Sequence, residues 1–202
     1  MRTKAYGQDG SCSPIDKFGF YLSFRKCLKY VKNISSPIQC LDIGCGYSAT
    51  LLRGLSHYFD EGIGVDVALS KDLKNCKNLR FIEGSIENIF CDQLKEKFLN
   101  LILMNSVLEH LADPIVVLEQ CYEHLKEEGL LLVNVPTWLG KGFLEFSAFK
   151  LKWSPEYEMD DHKMYYNKKQ LWPLLVRAGF KPSRIRLQYH KFGLNLFCVA
   201  QK

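Results

Sequence analysis

The 202-residue sequence lacks an apolar run long enough to span a membrane, and it has no Cys-x-x-Cys pair. Its eight cysteines are scattered singly, which argues against a zinc or dithiol motif and favours buried, reduced thiols. Repeats, low-complexity tracts and the apolar start of a secretion signal are also missing. We therefore expect a cytoplasmic protein with one domain over residues 1–202.

Charge is unevenly distributed along the chain. The net charge is +5, and residues 141–202 carry 12 Lys or Arg against 5 Asp or Glu, whereas residues 1–140 carry 15 against 17. A basic last third is compatible with a solvated surface or with an anionic substrate, and both interpretations stay open. No run of like charge resembles a nucleic-acid-binding arm, so the sequence argues against a nucleic-acid partner.

Short apolar segments alternate with amphipathic ones over most of the chain. Ser13-Pro14-Ile15-Asp16 has the residues of a helix start, and we expect that helix to reach about Lys32. The apolar residues expected to pack on the sheet are Phe18, Tyr21, Leu22, Leu28 and Val31. The expected strands are residues 38–41, 62–66, 79–83, 99–104 and 130–135, and later helices are expected over residues 113–128 and 167–178. This alternation predicts a doubly wound α/β fold, with a parallel sheet covered by helices on both faces.

The two ends of the chain depart from this pattern. Residues 1–12 are expected to form a loose tail. At the other end, residues 184–189 and 194–200 flank a short turn that contains Gly193, which predicts a terminal β-hairpin. Pro173 lies inside the last expected helix, where it removes a backbone hydrogen bond.

Two strand ends carry an aspartate, and the first is followed by closely spaced glycines. Asp42 precedes Gly44 and Gly46 in the turn between a strand and a helix, and Asp66 ends the next strand. Ligands bind at the carboxyl ends of parallel strands, so both side chains are placed to contact one cofactor. A carboxylate in the position of Asp66 can accept hydrogen bonds from both hydroxyls of a ribose.

Two cofactor classes fit these glycines, because Gly44-x-Gly46-x-x-Ala49 also matches the turn of dinucleotide-binding folds. Asp42 separates the two classes by charge. A carboxylate beside the turn would repel the pyrophosphate of NAD, whereas it would attract the cationic groups of S-adenosylmethionine. The sequence therefore favours S-adenosylmethionine.

The segment Leu41-Asp42-Ile43-Gly44-Cys45-Gly46 resembles the hallmark motif of class I S-adenosylmethionine-dependent methyltransferases. The resemblance extends over residues 38–181 and includes Gly64-Val65-Asp66, Ser106-Val107-Leu108-Glu109-His110 and Asp161-His162. It implies a Rossmann-like sheet of seven strands, mostly parallel, with an antiparallel last strand. Small-molecule methyltransferases are the subgroup that the downstream segments resemble.

The same resemblance implies which residues contact the cofactor. The methionine part would contact the glycine turn, the ribose would contact Asp66, and adenine would contact the residues after the third strand. The expected cofactor-binding residues are Asp42, Gly44, Cys45, Gly46, Asp66, Val67, Ser85, Ile86 and Asn105. Ser85 stands where many relatives carry Asp to hold the adenine amino group.

Two histidines lie within motif-like segments and are the candidate catalytic residues. His110 follows the fourth expected strand, and His162 precedes the last expected helix. Either could be a general base for a hydroxyl acceptor or a structural hydrogen-bonding residue. The remaining histidines have no clustered carboxylates or cysteines, so no metal site is expected.

The segment of residues 136–166 is rich in aromatic residues, and we expect it to be a lid that shapes the acceptor pocket or a helical extension packed on the domain. The leading hypothesis is methyl transfer from S-adenosylmethionine to a small-molecule acceptor, at an oxygen of a sugar, lipid-linked or other metabolite. The alternatives are a cofactor-binding protein without turnover, an RNA oxygen methyltransferase and an NAD-dependent oxidoreductase.

Overall fold

A seven-stranded sheet forms the centre of the computed structural model, which describes residues 5–8, 14–75, 77–86, 89–92, 94, 99–145 and 162–202. The strands are β1 (Gln39–Ile43), β2 (Glu61–Asp66), β3 (Leu79–Glu83), β4 (Leu99–Asn105), β5 (Leu125–Pro136), β6 (Ile185–His190) and β7 (Asn195–Gln201). The strand order is β3-β2-β1-β4-β5-β7-β6, and β7 alone runs antiparallel to its neighbours β5 and β6. The predicted fold class is confirmed.

Six α-helices among the described residues connect these strands. They are α1 (Pro14–Val31), α2 (Thr50–Leu55), α3 (Ile89–Asp92), α4 (Pro114–His124), α5 (Trp138–Glu145) and α6 (Lys168–Arg177). The start of α6 is fixed by a capping box, in which Asn167 Oδ1 accepts from Gln170 N and Gln170 Oε1 accepts from Asn167 N. Pro173 lies within α6, as predicted.

The predicted bounds agree with the structure within two residues for six of the seven strands. The exception is β5, which begins at Leu125, because α4 ends at His124 rather than near Gly129. Leu125 already pairs with Leu99, and the register then shifts before Leu130 pairs with Leu101. Pairing with β4 thus ends the helix earlier than the local sequence indicates, and the prediction for residues 125–128 was wrong.

Apolar side chains fill both faces of the sheet. One face packs on α1 and α2 through Cys27, Val31 and Leu55, and the other packs on α4 and α6 through Leu118 and Leu171. All five are almost completely inaccessible to solvent. Two covered faces explain why the parallel strands are apolar along their length instead of alternating.

The predicted inner face of α1 is correct in part. Val31 is buried and Leu28 packs against the core, as expected, whereas Phe18 and Tyr21 are about half exposed. Ser23 and Cys27, which were not expected there, are buried.

Part of the predicted loose tail contacts the domain. Ala5 is buried, and Tyr47 N donates a hydrogen bond to Tyr6 O. The remaining residues of 1–12 lie outside the described residues. Among the described helices, none combines the length and the apolar character that crossing a bilayer requires.

Phe180 supplies a test of the packing between α4 and α6. It is 1% exposed, and its ring meets that of Tyr122 edge-on with centroids 5.1 Å apart. Phe180→Ala should lower the free energy of unfolding by about 3 to 5 kcal/mol, measured by urea denaturation, because the truncation leaves a cavity. The matched control is Phe192→Ala, since Phe192 is 86% exposed. Equal losses in both variants would contradict this account of the core.

Candidate active site

A cavity of about 940 Å³ lies at the carboxyl ends of β1, β2 and β4. All the candidate site residues from the sequence line it: Asp42, Gly44, Cys45, Gly46, Asp66, Val67, Ser85, Ile86, Asn105, His110 and His162. The parallel strands bring these residues together, because the carboxyl ends of strands that are far apart in the chain lie at one edge of the sheet.

The turn after β1 has a backbone that only glycine adopts easily. Gly44 and Gly46 have φ values of 69° and 79°, which lie in the left-handed region. A Cβ on Gly44 would also overlap the side chain of Val107. Gly44 N and Cys45 N donate hydrogen bonds to Val65 O at 2.8 and 3.0 Å, so the turn is fixed against β2.

Asp66 connects that turn to the end of β2. Its Oδ2 accepts a hydrogen bond from Gly46 N at 2.8 Å, and its Oδ1 accepts one from Val67 N at 2.8 Å. A carboxylate oxygen has more than one lone pair, so these two bonds leave capacity for a ligand hydroxyl. Asp66 therefore orders the turn in addition to facing the cavity.

Asp42 is a buried carboxyl at the same edge. It is 1% exposed, and its Oδ2 has no hydrogen-bond partner among the described residues. Burial, together with the nearby charge of Asp66, raises the pKa of Asp42 well above its ordinary value. A cationic ligand group beside Asp42 would stabilise the charged form and lower that pKa again.

The other expected cofactor contacts lie around this centre. Ser85 and Ile86 follow β3, and Val67 follows β2. Asn105, at the end of β4, accepts a hydrogen bond on Oδ1 from Asn134 Nδ2 at 2.9 Å. The roles of these residues toward a cofactor stay predictions.

The two candidate catalytic histidines lie side by side. His110 ends a short 3-10 helix of residues Leu108–His110, and its ring centroid is 4.7 Å from that of His162. The Nδ1 atom of His162 lies 3.0 Å from the hydroxyl of Tyr165. Asp161, considered in the sequence as a partner of His162, lies outside the described residues.

Glu109 joins these histidines in one cluster. Glu109 is fully buried, and the candidate ligand atoms of Glu109, His110 and His162 all lie within 4.8 Å of one another. Two imidazoles and a carboxylate form a donor set that divalent cations accept. The sequence did not predict this cluster, because His162 is distant from Glu109 in the chain.

The cavity also contains residues that the sequence reasoning missed. They come from the segment of residues 5–8, from α1 and from the turn after β6, and they include Tyr6, Gly7, Asp16, Phe18, Gly19, Lys191, Phe192 and Asn195. Glu109 could have been found from its place beside His110 in a recognised motif. The others carry no local signal, since only the tertiary fold brings these segments over the sheet edge.

The aromatic segment of residues 136–166 contributes to the cavity at its two ends. Phe143 lines the cavity, and Trp138 packs on Tyr165 with ring centroids 5.6 Å apart. Residues 146–161, which include several of the expected aromatic residues, lie outside the described residues. The lid stays a prediction.

Comparisons with known proteins agree with this architecture. A methyltransferase-domain family matches residues 15–184. A ubiquinone biosynthesis O-methyltransferase of Cereibacter sphaeroides is 26% identical over 176 residues, which cover 80% of this chain and 70% of that protein. A malonyl-[acyl-carrier protein] O-methyltransferase of Halalkalibacterium halodurans is 34% identical over 106 residues, 48% of this chain and 39% of that protein.

A solved structure shows the same fold at low sequence identity. A SAM-dependent methyltransferase from Archaeoglobus fulgidus superposes with a TM-score of 0.64 at 18% identity, covering 90% of this chain and 94% of that one. The chain therefore belongs to the methyltransferase-domain family. It is a class I S-adenosylmethionine-dependent methyltransferase, which confirms the resemblance and the cofactor expected from the sequence.

Replacement of Asp66 tests its place in the cofactor site. Asp66→Ala removes the acceptor of two backbone N–H groups and of the expected ribose hydroxyls. Hydrogen bonds to a charged group contribute about 1.5 to 3 kcal/mol, so affinity for S-adenosylhomocysteine should fall at least about tenfold in calorimetry. Asp72→Ala, at an exposed position, is the control. Unchanged affinity in Asp66→Ala would remove this residue from the site.

Replacement of Asp42 should affect stability and cofactor binding in opposite directions. Because the pKa of Asp42 is raised in the folded protein, the folded chain keeps a proton on Asp42 at pH values at which the unfolded chain has released it. The free energy of unfolding of the wild type therefore falls as the pH rises from about 3.9, the ordinary pKa of aspartate, through the pKa of the folded state. The amide of Asp42→Asn does not titrate, so the variant should not show this fall. Without ligand, its melting temperature should exceed that of the wild type, and the difference should be larger at pH 8 than at pH 5. Affinity for S-adenosylhomocysteine should fall by about tenfold, because the amide cannot pair with a cation. A less stable variant with unchanged affinity would contradict both expectations.

Proposed function

We propose that this protein transfers the methyl group of S-adenosylmethionine to an oxygen atom of a small-molecule acceptor, such as a sugar or a lipid-linked metabolite. The observation that carries the proposal is the pair of histidines beside the cofactor turn. His110 and His162 line the same cavity as Asp42 and Asp66, with their rings 4.7 Å apart. Relatives with 26% and 34% identity are named O-methyltransferases, which supports oxygen as the acceptor atom.

Methyl transfer depends mainly on alignment of the reactants. The sulfonium already activates the methyl group, so holding the acceptor in line with it can supply roughly 7 to 11 kcal/mol of the barrier reduction. The residues after β1 and β2 would hold the cofactor, and the aromatic residues near Phe143 would exclude water from the acceptor. We propose that the segment of residues 136–166 determines which acceptor enters.

A hydroxyl acceptor must lose its proton, and a neutral imidazole can accept it. General base catalysis contributes about 10² to 10⁴ in rate. His162 Nδ1 lies 3.0 Å from the Tyr165 hydroxyl. In the tautomer in which Nδ1–H donates to that hydroxyl, Nε2 is the basic nitrogen, and it would accept the proton of the substrate. His110 contacts the same ring and is the second candidate for this role.

The cluster of Glu109, His110 and His162 gives these histidines a second possible role. Their donor atoms lie close enough together to hold a divalent cation. As ligands, the imidazoles would orient an acceptor oxygen through the ion and would not themselves accept its proton. The two roles differ in their sensitivity to a chelator.

The histidine variants test the proposal directly. His110→Ala and His162→Ala should leave affinity for S-adenosylhomocysteine unchanged, and the variant that lacks the base should lose about 10² to 10⁴ in kcat once an acceptor is identified. His57→Ala is the control, since His57 is exposed. Full activity in both test variants would leave alignment as the mechanism.

Dialysis of the wild type against EDTA separates the two roles of the histidines. Activity that survives EDTA supports the general base. Activity that is lost and then restored by Mg²⁺ or Mn²⁺ supports the ligand role, and in that case both histidine variants should bind the added cation more weakly in calorimetry.

A further inference from the structure

The turn between β6 and β7 brings a lysine to the wall of the cavity. Lys191 and Phe192 have φ values of 50° and 59°, and both line the cavity. The left-handed region disfavours residues with a Cβ, so neighbouring groups must fix this turn. Thr137 Oγ1 donates to Gly193 O at 2.7 Å, and Thr137 N donates to Leu194 O at 2.9 Å.

A close contact with α5 fixes the turn further. A Cβ on Gly140 would overlap the carbonyl oxygen of Leu194, so only glycine allows α5 to approach this closely. The backbone that carries Lys191 is thus determined by the start of α5 as well as by the hairpin.

Strained backbone is concentrated around this cavity. Among the described residues, five non-glycine residues have positive φ, and four of them line the cavity: Ala49, Ser106, Lys191 and Phe192. The fifth, Glu128, lies at the irregularity of β5. Such conformations persist where the surrounding structure determines them, and they are enriched at functional sites. Successive left-handed residues are common in tight hairpin turns, and here the turn places Lys191 on the wall of the cavity.

The surroundings of Lys191 do not fully compensate its charge. Its ammonium group lies against α1, 3.7 Å from the position of a Cβ on Gly19. Burial lowers the pKa of Lys191 to about 8, although the charges of Glu109, Cys27 and Asp16 act in the opposite direction. Desolvation therefore outweighs the opposing charges, and the ammonium form is disfavoured. An additional anion would stabilise the ammonium form.

We propose that Lys191 binds an anionic oxygen group, a carboxylate or a phosphate, on the methyl acceptor. This inference deepens the proposed function and rests on it. Lys191 follows β6 and lines the cavity together with Phe143 and Phe192, whereas the expected cofactor contacts follow β1 to β4. The position thus suits an acceptor that has an apolar or aromatic body and one acidic group, and it gives the basic last third of the chain a specific role.

Isosteric probes test the proposal without knowledge of the natural acceptor. 3-Hydroxybenzoate and 3-hydroxybenzamide have nearly the same shape and one hydroxyl each, and only the first carries a charge. Calorimetry with the protein saturated with S-adenosylhomocysteine should show that the acid binds at least about tenfold more tightly than the amide. 3-Hydroxyphenyl phosphate, titrated in the same way, distinguishes a phosphate group from a carboxylate.

Three variants identify the residue responsible. In Lys191→Gln the preference for the anionic probes over the amide should disappear, and in Lys191→Arg much of it should remain. Lys163→Gln should keep the preference, because Lys163 also lines the cavity but is exposed. Affinity for S-adenosylhomocysteine should stay within about twofold in every variant.

The pH dependence supplies a readout that a structural role would not change. Asp16 and Cys27 on α1, Glu109 after β4, and His190 and Lys26 beside the turn are the titratable groups around Lys191. Since Lys191 is cationic below its pKa, the preference for the acid should be largest near pH 7 and decline above about pH 8. Lys191→Gln should show no such decline.

The opposite results would overturn the proposal. A preference for the acid that survives in Lys191→Gln, or equal binding of acid, phosphate and amide to the wild type, would exclude Lys191 as an anion-binding residue. Loss of S-adenosylhomocysteine affinity in Lys191→Gln would assign the lysine to the cofactor instead. Failure of the proposed function has a different signature: anion preference would be intact, while no methylated product forms from any acceptor.

Discussion

The active site depends on a set of hydrogen bonds at the junction of β1 and β2. The turn after β1 donates from Gly44 N and Cys45 N to Val65 O, and Asp66 accepts from Gly46 N and Val67 N. These bonds hold two strand ends and the glycine turn as one unit, and the rest of the cavity is arranged around it. Because the strands are parallel, their carboxyl ends deliver Asp42, Asp66 and Asn105 to one edge of the sheet.

The chemistry follows from how differently the two aspartates are placed. Asp66 accepts two backbone hydrogen bonds, whereas Asp42 is buried with one oxygen that lacks a partner among the described residues, and its pKa is raised. One carboxylate therefore has a structural role that persists without ligand. We expect a cationic group to complete the other carboxylate, and S-adenosylmethionine carries such groups whereas a pyrophosphate does not.

The sequence predicted most of the fold because its signals are local. The bounds of six strands and the starts of α1 and α6 follow from neighbouring residues. The prediction from the sequence failed where contacts with residues distant in the chain override the local preference for secondary structure. Residues 125–128 look helical but belong to β5, and Phe18 and Tyr21 were expected to pack on the sheet but are about half exposed.

The same distinction between local signals and contacts of distant residues applies within the site. The sequence alone determined the cofactor turn, Asp42, Asp66 and the candidate histidines, because their motifs are contiguous and parallel strand order brings them together. Only the tertiary structure decided that His162 meets Glu109 and His110, and that Lys191 lines the same cavity. These contacts join residues that are distant in the chain, and they depend on an antiparallel hairpin whose turn is fixed by Thr137 and Gly140.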